Sequence, residues 1–221
     1  MTGSKVYILL FSLGFIITSL CGYAQEKDPA AEKILDDYQK KIQSFPAIKS
    51  EFQFTIIDLK ENSESTYNGE FSMKDDKYVM KMGNMEIYYD GTTLWSYLPE
   101  EEEVNISNPE PSEDQDFLEN PALFFKLYKK DLFNKLVEEK DVEGITYSII
   151  DLYPKDLDKG FSRIRLFINK KELELYSIRY FGKDGIHYML LLTGYDSGEL
   201  ADTWFQFNIK EHQGVEVIDL R

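Results

Sequence analysis

The sequence predicts an α+β protein that is mainly antiparallel β, a strongly curved sheet or barrel with helices laid against its concave side. Three observations predict it. From Glu51 to Leu192, short runs alternate apolar and polar residues, the period of strands with one wet face. The runs are joined by turn signals (Asp90-Gly91, Asn169 to Glu172, Gly182 to Gly185) too short for the crossovers that parallel strands need. Only two stretches have helical spacing, too few to cover both faces of such a sheet.

The first element is a leader. Met1 to Lys5 carries one positive charge, Val6 to Leu20 carries none, and Gly22-Tyr23-Ala24 ends on small residues. This pattern is a secretory signal peptide over residues 1–24, cleaved after Ala24; the apolar run is short for a membrane anchor. Cys21 suggests lipidation instead, but Leu20 stands where that processing wants a small residue. Cys21 is also the one cysteine of the chain, so disulfides are excluded and a core must hold the exported domain together. Residues 25–221, about 197 of them, suffice for one domain.

A helix follows. Pro29 suits its first turn, Ala31, Ile34, Leu35, Tyr38 and Ile42 recur at helical spacing, and Pro46 stops it. Phe52, Phe54 and Ile56 then alternate with Glu51, Gln53 and Thr55. Phe71 with Met73, and Tyr78, Met80 and Met82, form further alternations. Met85 to Leu98 reads as a hairpin about Asp90-Gly91, with a type I′ turn presenting Trp95. Asn105 to Glu119, acidic and bearing Pro109 and Pro111, reads as a loop. Asn120-Pro121 resembles a cap and first residue of a second helix whose apolar face is Leu123, Phe124, Leu127 and Tyr128. Strands resume at Ile145 to Leu152, Ile164 to Ile168, Leu175 to Phe181, Tyr188 to Leu192 and Thr203 to Ile209.

The large, soft residues on the inward positions, Phe52, Phe54, Phe71, Met73, Met80, Met82, Trp95 and Phe124, suit a pocket between helix and sheet for a flexible hydrocarbon, because thioethers re-pack at little cost. On their residue types alone they read first as an ordinary core. The formal charge of −15, one unit more negative without Lys5, argues against nucleic acid and anionic membrane surfaces; it either keeps an aromatic-rich protein soluble or serves docking. Catalysis is poorly supported. There are two histidines, His187 and His212, and no nucleophile, zinc or phosphate-loop motif. The carboxylate clusters Glu100 to Glu103 and Glu138 to Asp141 read as solvated faces or loops. No enzyme activity, metal or cofactor is expected.

Asp90-Gly91-Thr92-Thr93-Leu94-Trp95-Ser96-Tyr97-Leu98-Pro99, followed by Glu103-Val104, resembles the D-G-x-T-L-W-x-Y-x-P…Q-V stretch of the LolA family of periplasmic outer-membrane lipoprotein carriers. Gly69 to Lys74 resembles that family's G-x-[FL]-x-[VL]-K strand, Ser50 to Phe54 its S-x-F-x-Q region, and Asn120-Pro121 its N-P-x-x-L helix start. Phe205 to Phe207 and Gly214 to Asp219 resemble its closing F-x-F…G-V-x-V-x-D. The matches keep the family's order across residues 30–219. One departure stands out: where the family often has an arginine after the strand lysine, associated with lid closure, Lys74 is followed by Asp75 and Asp76.

The resemblance implies an incomplete β-barrel closed by a helical lid around an apolar cavity, whose acyl-binding wall would be Phe52, Phe54, Phe71, Met73, Met80, Met82, Trp95, Tyr97, Phe124 and Leu127. It implies a monomeric periplasmic carrier of a Gram-negative bacterium. Such a carrier takes lipidated lipoproteins from an inner-membrane ABC lipoprotein-release transporter and passes them to an outer-membrane acceptor. The alternative is a lipoprotein-sensing regulatory or scaffold domain on the same fold, which would bring a second domain or an anchor.

Overall fold

The computed structural model describes residues 28–109 and 132–221. The leader, the acidic stretch 110–119 and the second helix with Phe124 and Leu127 lie outside the described residues. Among the described residues thirteen strands form one sheet, built as two meanders. The first is β1 (Ile48–Asp58), β2 (Ser63–Lys74), β3 (Lys77–Met82), β4 (Met85–Tyr89), β5 (Leu94–Leu98) and β6 (Glu103–Ser107). The second is β7 (Leu132–Val142), β8 (Ile145–Pro154), β9 (Phe161–Asn169), β10 (Glu174–Gly182) and β11 (Ile186–Leu192). They join where β1 pairs antiparallel with β11, Phe54 opposite Leu190, and the sheet stays open, with β7 at one end of the strand order.

The helix α1 (Pro29–Ser44) starts where Asp28 caps it, accepting from the Ala30 N–H at 2.9 Å. The other Asp28 oxygen accepts from the Leu136 N–H at 3.0 Å, so the cap is also the joint to β7. That amide, the first of several, holds the Asp28 carboxyl below its usual range. At the far end Lys41 pairs with Glu174 at 3.0 Å and donates to the Glu172 carbonyl. Between these pins Ala31, Leu35, Tyr38 and Ile42 are buried against one face of the sheet, its inner face. A fully buried leucine or isoleucine is worth about 1.5–3 kcal/mol, so packing rather than propensity holds the helix there.

Three expected elements differ. The 90–93 connection is a four-residue loop rather than a two-residue turn: Asp90 accepts from the amides of Thr92 and Thr93 at 3.1 and 2.9 Å, and Gly91 takes φ +98. Asn105, Ile106 and Ser107 belong to β6, because Val104 and Ile106 are buried on one of its faces. Thr203 to Ile209 is not a strand. After β12 (Asp196–Ser197) pairs with the start of β1, the chain crosses the outer face of the first meander through 3₁₀ turns at Asp202–Phe205 and Ile209–Glu211. It ends in β13 (Glu216–Asp219), which adds parallel to β6. The acidic cluster Glu138 to Asp141 is a solvated stretch, as expected, and lies within β7.

Candidate functional site

Pleating assigns every strand residue to one of two faces, and residues opposite each other in a ladder share a face. Phe52 opposes Gly69, Phe71 opposes Met80, Met73 opposes Tyr78, Met82 opposes Met85, and Tyr89 opposes Leu94. All of these stand on the inner face, the one the helix packs against. Phe52, Phe54, Phe71, Met73 and Met80 are buried there, in one cluster with Leu35, Tyr38 and Ile42 of the helix and Ile150, Leu166 and Ile178 of the second meander. Gly69 is required by this packing: a Cβ would lie 2.3 Å from Phe52 Cζ and 2.6 Å from the Lys81 carbonyl oxygen.

Beyond the helix the same surface opens. Met82, Met85, Ile87, Leu94, Ile56 and Tyr188 pack on the cluster but remain half-buried. Four of the chain's six methionines (Met73, Met80, Met82, Met85) therefore line the inner face. An aromatic band runs with them, Phe54 stacked on Tyr188 at 5.8 Å and Tyr78 beside Tyr89 at 5.3 Å. Burial pushes the Tyr78 and Tyr38 hydroxyls up, so both stay neutral donors. Such a surface can shelter apolar matter. Among the described residues no cluster of His, Cys, Asp and Glu could hold a metal, and no helix is long and apolar enough to cross a membrane.

Trp95 and Tyr97 are not part of this wall. They lie on the outer face, opposite Tyr88 and Glu86 in the ladder, and pack with Val104 and Phe207 in a separate cluster. Tyr97 meets Phe207 at 4.9 Å and His212 at 4.6 Å. The physical reason is that β5 is apolar on both faces; Leu94 supplies the inner face. Lys74 and Lys77, the two cations nearest the missing family arginine, both bind Asp202 at 2.8 Å and so tie down the crossing segment. Two open clefts of about 600 and 500 Å³ have mixed linings, including Glu51, Glu70 and Lys81 in the first and Lys49 and Asp196 in the second, unlike the expected apolar cavity. Residue types had not singled out Met85, Ile87, Leu94 or Tyr188 as wall; their alternation with Glu86, Tyr88 and Trp95 was the available signal.

Comparison with known proteins bears on the fold and the family. A solved structure of an uncharacterized conserved protein from Thermus thermophilus superimposes with a TM-score of 0.58 at 12% identity, covering 86% of this chain and 99% of that one, which establishes a shared fold. A LolA superfamily protein of Nitrosomonas europaea aligns at a TM-score of 0.43 and 14% identity, over 80% of this chain and 97% of that one. In sequence, the chain is 23% identical over 155 residues to an outer-membrane lipoprotein carrier protein of Shewanella pealeana, covering 66% of this chain and 67% of that protein. The family model for the outer membrane lipoprotein carrier protein LolA matches residues 20–150, more than half of the chain. The chain belongs to the LolA family.

Proposed function

We propose that the protein is an exported periplasmic carrier that shields lipoprotein acyl chains on the inner face of its sheet and performs no chemistry. It would receive lipoproteins from an inner-membrane ABC transporter and deliver them to an outer-membrane acceptor. The observation that carries this reading is the methionine-rich surface continuous with the core, half-buried at Met82, Met85, Ile87 and Leu94, in a chain of the LolA family. Each methylene removed from water is worth about 0.8 kcal/mol, so one sixteen-carbon chain represents on the order of 10 kcal/mol. A lining of soft thioethers with few polar anchors offsets most of that and still releases its load, because no single contact is strong.

The test is binding of a fluorescent acylated peptide to the purified protein. Replacing Met82 and Met85 by glutamate puts two charges on the half-buried wall that packs against the deep cluster, so the variant's Tm is read beside its affinity. The double variant is expected to lose affinity by about tenfold or more, the equivalent of about 1.4 kcal/mol. Trp95→Ala, on the outer face, should bind as the parent does. An unmodified protein that leaves the peptide in water would sink the carrier reading, and so would an M82E/M85E variant that binds normally.

A further inference from the structure

The chain has four arginines among its 25 basic residues, and three of them, Arg163, Arg165 and Arg179, stand on the outer face of β9 and β10. Register aligns them across strands: Lys135 on β7 opposes Asp151 on β8, Asp151 opposes Arg165, and Arg165 opposes Arg179. Two guanidiniums directly opposite each other destabilise a ladder unless something else is gained. The one carboxylate in the row is already committed. Asp151, its side chain 3% exposed, receives Arg165 Nε and Nη2 at 2.7 and 2.8 Å and the Tyr153 hydroxyl at 3.1 Å.

Arg163 and Arg179 are left with weak partners. Arg163 Nε is 3.7 Å from Asp151, makes no hydrogen bond among the described residues, and its guanidinium lies over the Phe181 ring at 4.1 Å. Arg179 donates to the Met189 sulfur at 3.5 Å, a poor acceptor. Lys135 is exposed. Other charges at the patch among the described residues include Lys155, over the Phe133 ring at 5.7 Å, Glu138, beside Arg165, and Asp184, beside His187. His187 senses the resulting field: burial first, then Arg179 and Arg163, push its imidazole below the usual value. Half-buried Phe133, Tyr153 and Phe181 flank the guanidiniums. Arginine among aromatics is the composition of an interface centre, and a guanidinium fork held over a ring can grip a carboxylate bidentately.

We propose that the outer face of β7–β10 docks the acidic patch of a partner protein, with Arg163 and Arg179 receiving its carboxylates. A partner protein fits better than an anionic bilayer. A bilayer is a charged plane wider than this patch and would also meet the surrounding surface of a chain with 40 acidic residues, whereas a protein's acidic patch can match the footprint of three arginines. The inference is independent of the carrier reading, since the patch is on the opposite side of the sheet from the methionine wall.

The experiment is fluorescence anisotropy of a labelled ten-residue polyglutamate peptide with the purified protein at low and physiological salt. The parent is expected to bind, more weakly as salt rises, and R163Q/R179Q to bind about tenfold less tightly at an unchanged Tm. Should that pair unfold, exposed Lys135→Gln replaces it, with an expected loss of about threefold. Phosphatidylglycerol vesicles should not sediment the parent protein. Peptide affinity unchanged in the folded variants overturns the proposal. So do vesicles that bind the parent but not the variant, which would assign the patch to a membrane.

Discussion

On the first meander the outer face carries Tyr88, Trp95 and Tyr97, and the crossing segment covers them with Phe207 and His212. On the second meander the outer face carries Asp151, Arg163, Arg165 and Arg179, which neutralise one another only in part while their guanidiniums reach water. One half hides aromatic surface under its own chain; the other holds charge in a lattice of ion pairs and ring contacts. The two devices differ in what they leave available. A face sealed by hydrophobic contacts has nothing to offer a partner, whereas a face held by under-paired arginines does.

The largest test of this contrast is Phe205→Ala. Phe205 is fully buried within the crossing segment, so its removal should cost about 3–5 kcal/mol, read from urea unfolding, and increase hydrogen exchange in β5 and β6. A loss under about 1 kcal/mol would mean that the segment rests on the sheet without anchoring it. Asp151→Asn should come next, at about 2–3 kcal/mol, below the usual range for breaking a buried pair because the arginines are partly hydrated. If stability is unchanged, the ion-pair lattice is not what holds the second face.

Asp202→Asn is the smallest, and it is pH-dependent. Hydrogen bonds from Lys74 and Lys77 lower the Asp202 carboxyl from an ordinary 3.8 to about 2. A carboxyl whose pKa falls on folding contributes stability above its unfolded value and loses it as pH drops through the folded one. The parent should therefore loosen its crossing segment between about pH 4 and pH 2. Asp202→Asn should be slightly looser at neutral pH and show no such step, followed by Trp204 fluorescence. An identical acid profile in both proteins would discard this ion pair as a clasp.

The strands with one wet face were legible because Phe52-Gln53-Phe54 and Ile164-Arg165-Leu166 alternate cleanly. The helix was legible for the same reason, its buried stripe recurring between two prolines. β7 was not: Glu138 to Asp141 are all exposed, so at the rim of the sheet no hydrophobic period marks the strand. The crossing segment deceived in the other direction, since Phe205 and Phe207 alternate as a strand would but do so to dock on a face. Trp95 was misplaced because a strand with aromatic and aliphatic residues on both sides does not say which side faces inward. Alternation put Phe52, Phe54, Phe71, Met73, Met80 and Met82 on inward positions; register was needed to put Trp95 and Tyr97 on the outer face. The arginines had no signal in sequence beyond their scarcity.

Because β13 is the last strand in chain order and lies along β6, the rim of the first meander is finished only when everything before it has emerged. Until then β6 waits with one row of amides and carbonyls unshielded, a template for edge-to-edge association. Removing 216–221 should recreate that state permanently, giving a folded protein that self-associates through β6.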